Sequence, residues 1–187
     1  RAMEEWVAAF RQSPAGAATA ALVLGGLLAG DFLLPVPSSV ASTALGYFLG
    51  FAGGAAVSLA GMTVSSLAGY AIGALGGRPV AVRLVGEREL ERFRGLSSAW
   101  GDWFVVVTRP VPVLAEGAAF FAGIARMRFG RFLVLSTLAN LGISAAYAAI
   151  GAFSYGVNSF LVAFAGAIVL PGAAMLIWRY LPRPRRR

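Results

Sequence analysis

The sequence predicts an all-α integral membrane protein: an inverted repeat of two opposed re-entrant helical hairpins together with transmembrane helices. Two observations predict this class. The chain is 58% hydrophobic and 13% charged, with a mean hydropathy of +0.75, and soluble domains are rarely so apolar. The tripeptide Pro-Val-Pro also interrupts the apolar sequence twice, at residues 35–37 and 110–112. Paired interruptions of this kind often mark the binding region of a transporter.

The composition restricts the chemistry that the chain can perform. It contains no cysteine and no histidine, which removes thiolate chemistry, the commonest general base and the commonest transition-metal ligand. We therefore expect no metal and no cofactor. The net charge of +8 comes from arginines that concentrate in short connecting segments, as in the cytoplasmic loops of membrane proteins. A nucleic-acid partner is accordingly not expected.

We expect a single membrane domain covering residues 1–187. Pro14 opens an apolar helix that runs to about Gly30. Residues 31–76 then form the first hairpin and a full-length helix, in which small residues recur every fourth position from Gly61 to Gly73 and predict a packing seam.

The first hairpin is predicted within residues 31–50, DFLLPVPSSVASTALGYFLG. Its backbone breaks are Pro35 and Pro37, because proline donates no N–H and clashes with the preceding turn of a helix. Its candidate binding residues are Asp31, Ser38 and Ser39. Asp31 also admits a simpler interpretation, a carboxylate at the end of a helix near the membrane surface.

Residues 78–102 form a polar connector that suits a surface helix on the cytoplasmic side, ending beside the interfacial pair Trp100 and Trp103. The second hairpin plus helix follows over residues 103–153. A last span is expected at residues 157–180, and residues 181–187 form a basic tail that we place in the cytoplasm.

The second hairpin contains Arg109 and Glu116 around a break at Pro110 and Pro112. A charged residue at membrane depth costs about 2.5–3.5 kcal/mol and normally faces a bundle interior or a watery cavity. Broken backbone is likewise tolerated there only where protein or water satisfies it. The segment therefore predicts a binding site within the membrane. The alternatives are a kinked span whose Arg109 reaches the interface, and a Glu116 that serves only as the structural partner of Arg109.

The helix over residues 132–153 carries Ser136, Asn140 and Ser144 at intervals of four, which places them on one face. Asn140 is the most polar of the three and should face the bundle interior. We include it among the candidate binding residues.

Arginine placement predicts how the second hairpin is arranged. With the tail in the cytoplasm, both the connector and the basic turn at residues 126–131 should also be cytoplasmic. Residues 103–124 then start and finish on one side, which a re-entrant segment achieves. With the N-terminus also in the cytoplasm, the same counting brings the first hairpin in from the opposite face, so that the two meet near the midplane.

Several of these motifs resemble the DedA family, also called the VTT or SNARE-associated-Golgi domain. The resemblance covers roughly residues 31–156 and rests on an acid before P-x-P, a helix ending AGYAIGALGG, the pattern R-P-x-P followed by AG, and the segment MRFGRF. By position, Asp31 is similar to the family's first-hairpin acid and Arg109 to its first essential arginine. The sequence departs from the bacterial pattern at Ser38 and Ser39, where many members carry a second acid. It departs again at residues 115–116, where many carry a second arginine.

The resemblance implies a lipid transporter, a flippase or scramblase that moves undecaprenyl phosphate or phospholipid between leaflets, with protons as a further partner. It implies no enzyme activity and a bacterial or archaeal plasma membrane. Two alternatives remain at this point: an ion or small-solute transporter on the same hairpins, and an enzyme acting on lipid phosphates. The enzyme is disfavoured because a serine or aspartate nucleophile would lack a histidine base.

Overall fold

Helices account for most of the described chain, and no strand occurs in it. The computed structural model describes residue 9 and residues 13–31, 37–108 and 112–154. The helices are α1 (Pro14–Ala29), α2 (Ser38–Val85), α3 (Glu87–Trp100), α4 (Phe104–Val107), α5 (Pro112–Ile124) and α6 (Phe129–Ala152), with a 3₁₀ turn at Gly101–Trp103. Pro35, Arg109, Pro110, the predicted span at 157–180 and the tail at 181–187 lie outside the described residues. The predicted all-helical class is confirmed.

Prolines set where helices begin. Pro14 occupies the first turn of α1, and the Ser13 hydroxyl caps it by accepting from the Gly16 N–H at 3.0 Å. α2 begins directly after Pro37, and α5 begins at Pro112. Proline suits the first turn because its missing N–H would have no partner there and its fixed φ is helical. Both Pro-Val-Pro motifs thus end in the start of a helix.

α2 is not one straight rod, because the chain reverses at Gly50. Gly50 has φ +72°, a left-handed value that glycine adopts at low cost. In a straight helix Ser42 and Ser58 would be about 24 Å apart, yet their Oγ atoms lie 2.6 Å apart. A Cβ added at Gly54 would lie 2.6 Å from the Cα of Gly46. We call residues 38–49 limb A and residues 51–65 limb B; they pack antiparallel.

The described residues fall into two compact units. The first contains α1, limb A, limb B and the part of α6 from Asn140 onward, and the second contains residues 66–139.

In the first unit, α1 and limb A form a helical hairpin. A Cβ added at Gly25 would lie 2.8 Å from Val57, and one added at Gly61 would lie 2.8 Å from Leu28. Along both helices the contacts advance in the same direction, from Gly25 with Val57 to Leu28 with Gly61, so α1 and limb B run parallel. Since limb A runs opposite to limb B, it also runs opposite to α1. Leu28 is accordingly buried in one cluster with Ala41, Leu45 and Met62.

The end of α6 completes the first unit by crossing limb A at two glycines. A Cβ at Gly46 would collide with the backbone of Ala148, and one at Gly151 would collide with the Thr43 carbonyl and lie 2.8 Å from the Tyr47 N. No side chain separates the two backbones at this point. Small residues allow such close approach between membrane helices, where dispersion contacts replace the hydrophobic effect as the driving force.

The second unit is built around α5. The amphipathic helix α3 buries Leu90, Phe93 and Leu96, and the Phe93 ring occupies the space that a Cβ on Gly117 would need. Its charged residues stay outside, where surface ion pairs join Arg78 to Glu87, Arg92 to Glu89 and Arg94 to Glu91. The predicted connector is therefore a surface helix with one face packed on α5.

A second glycine crossing joins α5 to residues 66–76 of α2. A Cβ at Gly73 would collide with the Phe120 carbonyl, and one at Gly123 would collide with the Tyr70 carbonyl and lie 2.7 Å from the Ala74 N. The Tyr70 ring stacks on Phe132 at 4.5 Å between centroids. The predicted packing seam is present at both of its ends, since Gly61 packs on α1 and Gly73 on α5.

Among the described residues, two helices are long and apolar enough to cross a membrane, Ser38–Arg83 and Phe129–Ala152. Because α2 reverses at Gly50, its crossing-length part is the stretch after that glycine. Residues 51–76 would extend about 39 Å, against roughly 30 Å of hydrocarbon. α1 is apolar but shorter.

Candidate functional site: a polar interior around a helical hairpin

Asp31 lies at the end of α1, where the chain turns toward limb A. Its residue is only 7% exposed, and its N–H donates to the Leu28 carbonyl at 3.4 Å. Burial of a carboxylate is costly, so it is retained where a partner or a function requires it. The structure thus gives Asp31 a buried position in the hairpin.

Ser38 and Ser39 form the first turn of limb A, and both are buried. The Ser39 carbonyl accepts from the Thr43 hydroxyl at 2.8 Å, which ties the second turn back to the first. Asp31, Ser38 and Ser39 all belong to the first unit, at the two ends of the connection between α1 and limb A. The hairpin connection is therefore flanked by a carboxylate on one side and hydroxyls on the other.

A hydroxyl network extends this polar interior across three helices. The Ser58 hydroxyl of limb B lies 2.6 Å from the Ser42 hydroxyl of limb A and donates to the Ser144 hydroxyl of α6 at 3.0 Å. One turn away, the Asn140 amide donates to the Thr63 hydroxyl at 3.3 Å. We use the name hydroxyl network for Ser42, Ser58, Thr63, Asn140 and Ser144.

The polar face predicted for α6 is confirmed by burial. Ser136, Asn140 and Ser144 are all 1% exposed or less. Hydroxyl and amide groups both donate and accept, so they can exchange a bond to one another for a bond to a polar ligand. Around Asn140 and Ser144, the first unit therefore has an interior that can accommodate polar groups, beside its apolar cluster.

In the second unit, the two flanks of residues 103–124 lie together. Asp102 accepts from Arg131 at 3.0 Å, and the Phe104 ring meets Phe121 edge-on at 5.6 Å between centroids. The segment thus returns to the place where it started. Thr108, the residue before Arg109, is fully buried and donates to the Phe104 carbonyl at 2.8 Å.

Glu116 lies on α5 and is half-buried. It belongs to the second unit, whereas Asp31, Ser38, Ser39 and Asn140 belong to the first. The predicted site residues are therefore divided between the units. Among the described residues, no group of three or more acidic side chains is placed to hold a metal ion.

The hairpin itself differs from the one placed at residues 31–50. Its first limb is α1, which the sequence predicts as a separate apolar helix before the hairpin. Sixteen residues extend about 24 Å, too short to cross about 30 Å of hydrocarbon, and that length was the available signal.

Sequence reasoning also missed Ser42 and Ser58. Ser42 follows Ser38 by one helical turn, so the face was readable, but Ser58 meets it only because the chain reverses at Gly50.

Comparison with known proteins adds a family. No curated protein and no solved structure matches the chain. The family model of the VTT domain matches residues 36–153, which covers limb A, limb B, the connector, α5 and α6. This domain is the DedA family domain, and the family is membrane-associated. The match extends over more than half of the chain and includes both Pro-Val-Pro helix starts, so the chain belongs to the VTT-domain, or DedA, family.

Proposed function

We propose that this protein moves a phosphate-bearing lipid, a polyprenyl phosphate or a phospholipid, between the leaflets of a membrane, as a flippase or scramblase and not as an enzyme. The observation that carries the proposal is the buried Asp31 in a helical hairpin whose limbs are both too short to cross. An ionisable residue retained inside a membrane protein marks a substrate or proton pathway by default.

The depth of the hairpin supports a position near the midplane. Leu28 at the end of α1 packs on Gly61, and Gly61 follows the Gly50 turn by eleven residues, or about 16 Å of helix. Half of the hydrocarbon thickness is about 15 Å. If Gly50 lies at one membrane surface, Asp31 lies close to the middle.

Each candidate residue has a distinct proposed role. Arg109 would bind the phosphate, because its planar guanidinium donates two parallel hydrogen bonds to phosphate oxygens. Asp31 would carry the proton where transport is proton-coupled. Glu116 would act as counter-ion to Arg109 when no lipid is bound. Ser38, Ser39 and Asn140 would provide hydrogen bonds for the polar headgroup.

An inverted repeat of two re-entrant hairpins is part of the proposal. Its support is the pair of glycine crossings, one in each unit, in which glycine packs directly on helix backbone. Gly123 follows Gly46 by 77 positions, Gly151 follows Gly73 by 78, and the two Pro-Val-Pro motifs are 75 apart. A duplicated sequence would produce offsets as similar as these, which all lie between 75 and 78 residues.

The direct test is reconstitution into liposomes with fluorescent polyprenyl phosphate or phospholipid, scored for leaflet exchange with and without a pH gradient. We expect Arg109→Lys to reduce exchange at least tenfold, since an ammonium does not reproduce the bidentate contact. Arg92→Lys, on the exposed face of the connector, is the matched control and should exchange lipid normally. Flux of ions or sugars in place of lipid would contradict the proposal.

Asp31→Asn tests the proton role. The amide preserves the shape but cannot titrate, so exchange should lose its response to the pH gradient. Full pH-driven exchange in this variant would mean that Asp31 does not carry the proton. A wild-type protein that ignores the gradient would identify a passive scramblase.

Glu116→Gln tests the counter-ion role. Removing one partner of a buried pair costs roughly 3–5 kcal/mol, so the melting temperature in detergent should fall. Because Glu116 is only half-buried, a smaller fall is expected than for a fully enclosed pair. An unchanged melting temperature would refute the pairing.

The side on which the second hairpin starts and ends can be tested in this cysteine-free chain. Cysteines placed at Ser97 and Arg128 should react with an impermeant thiol reagent from the same side of the membrane. Reaction from opposite sides would show that residues 103–124 cross it.

A further inference from the structure

The turn between α5 and α6 contains an arginine in a conformation that normally selects glycine. Arg126 has φ +54°, and it is the one non-glycine residue with positive φ in the described ranges. The Met127 N–H donates to the Ala122 carbonyl at 3.0 Å and the Arg126 N–H to the Gly123 carbonyl at 3.0 Å. These two bonds define a Schellman cap with Arg126 at its left-handed position, where glycine is the unstrained residue.

At every other position with positive φ in the described chain, the residue is glycine. These glycines are Gly50, Gly77, Gly86 and Gly101. A side chain retained against this preference indicates a role for the side chain itself. The dipole of α5 does favour a cation at its end, but Arg128 supplies one two residues later without positive φ.

Arg126 and Arg128 are exposed and, within the part of the chain that the structure describes, take part in no ion pair. The neighbouring Arg131 differs, because Asp102 binds it. On the connector, Arg92 and Arg94 are likewise paired with glutamates. The turn therefore presents two guanidinium groups available to an external anion.

Two exposed aromatic side chains accompany this turn: one follows it directly in the chain, and the other follows the residue that pairs with Arg131. The Asp102–Arg131 ion pair brings Trp103 next to the start of α6, and Trp103 is 59% exposed. Phe129, two residues after Met127, is 53% exposed. Tryptophan concentrates at the membrane interface, where lipid headgroups meet the hydrocarbon. Exposed aromatic side chains near arginines that have no ion pair in the described ranges fit a lipid headgroup better than a dissolved anion.

We propose that Arg126 and Arg128 form a surface site for the phosphate of an anionic lipid headgroup, with Trp103 and Phe129 in the adjoining interface. Arginine binds phosphate through parallel N–H donors, and negatively charged lipids attract basic segments at the membrane surface. The site depends on the membrane location of the family and not on lipid transport. It is separate from the hairpin residues of the proposed pathway.

The experiment counts lipids bound to the detergent-solubilised protein by native mass spectrometry, in equimolar phosphatidylglycerol and phosphatidylcholine. We expect wild type to retain phosphatidylglycerol preferentially. Arg126→Gly and Arg128→Gln should each lower the ratio of the two adducts by roughly fivefold, the contribution of one arginine at an anionic surface. The double variant Arg92→Gln, Arg94→Gln is the control: it loses two charges, one more than either single variant, but from arginines that are paired with glutamates, and it should keep the ratio.

Arg126→Gly separates binding from structure because glycine relieves the positive φ. A lost lipid preference together with an unchanged or higher melting temperature supports the site. A retained preference overturns it, as does a preference lost only alongside a lower melting temperature. Displacement of the lipid by inorganic phosphate at millimolar concentration would also overturn the lipid assignment. Leaflet exchange measured in pure phosphatidylcholine should be unaffected by Arg126→Gly, which keeps this test independent of the transport proposal.

Discussion

The two units both contain a close helix crossing at glycines, but the side chains around the two crossings differ. Each contains a crossing in which glycines from two helices bring backbone against backbone, Gly46 with Gly151 in the first unit and Gly73 with Gly123 in the second. Around the first crossing lies the hydroxyl network. Around the second lie the rings of Tyr70, Phe129 and Phe132.

This difference separates a structural requirement from a chemical one. The crossings fix the distance between helices, and both units need that. In the first unit, polar side chains bond to one another between helices, Ser58 to Ser42 and Ser144. In the second, the Tyr70 hydroxyl bonds a turn carbonyl, that of Met127, at 2.6 Å. Side-chain hydrogen bonds between helices therefore characterise the surroundings of the first crossing, and stacked aromatic rings characterise those of the second.

The largest expected effect comes from filling a crossing. Gly151→Ala and Gly123→Ala should each destabilise the protein by about 3 kcal/mol, the upper end of the usual cost of overpacking, because the new Cβ collides with backbone that cannot move aside without shifting a helix. Unfolding in detergent measures the loss. Similar losses of stability in both variants would support the view that the two units pack in the same way. A loss in only one variant would show that the two crossings are not equivalent.

Gly142→Ala is the matched control for these substitutions. Gly142 lies on α6, as Gly151 does, and a Cβ there meets nothing within 4 Å. Alanine is the better helix former, so this variant should be neutral or more stable by about 0.5–1 kcal/mol.

An intermediate loss of stability is expected when a hydroxyl group near either crossing is removed. Ser58→Ala removes the central hydroxyl of the network and leaves Ser42 and Ser144 without it, which should cost about 1–2 kcal/mol. Tyr70→Phe should cost less, about 1 kcal/mol, because it removes a single, partly buried hydrogen bond to the Met127 carbonyl. The measurement is the same unfolding assay, with the exposed Ser98→Ala as a neutral control. A larger loss of stability for Tyr70→Phe than for Ser58→Ala would show that the Tyr70–Met127 hydrogen bond contributes more than the hydroxyl network.

The smallest effect belongs to the surface contact of the second unit. Asp102→Asn removes the partner of Arg131, but both side chains are well exposed, and such pairs are worth about 0.2–1 kcal/mol. A double-mutant cycle with Arg131→Gln should yield a coupling energy in that range that shrinks at high salt. A coupling energy above about 2 kcal/mol would contradict this expectation and show that the Asp102–Arg131 pair is important for holding the two ends of residues 103–124 together.

Local signals explain what the sequence predicts well. The prolines at 14, 37 and 112 place the starts of α1, α2 and α5 because their effect is confined to one turn of backbone. The spacing of Ser136, Asn140 and Ser144 predicts their shared burial, because one apolar helix with three polar positions has few other ways to pack. The connector is equally readable from its charges.

Contacts between distant residues explain what the sequence does not predict. The reversal at Gly50 depends on one glycine among 24, and without it neither the limb pairing nor the hydroxyl network can be located. The crossings require knowing which small residues face each other. The helix cap at Arg126 is the hardest feature to predict, because a left-handed cap is normally recognised in a sequence by its glycine and this one contains arginine.

The short limbs also have a consequence for how the protein enters the membrane during synthesis. α1 has 16 residues and limb A covers residues 38–49, so they extend about 24 and 18 Å, and neither meets the length at which an apolar segment is accepted as an independent span. Asp31 between them raises the cost of inserting either one alone. We expect the pair to enter as one body, after the long helix that follows Gly50 has emerged from the ribosome and provides a surface for it.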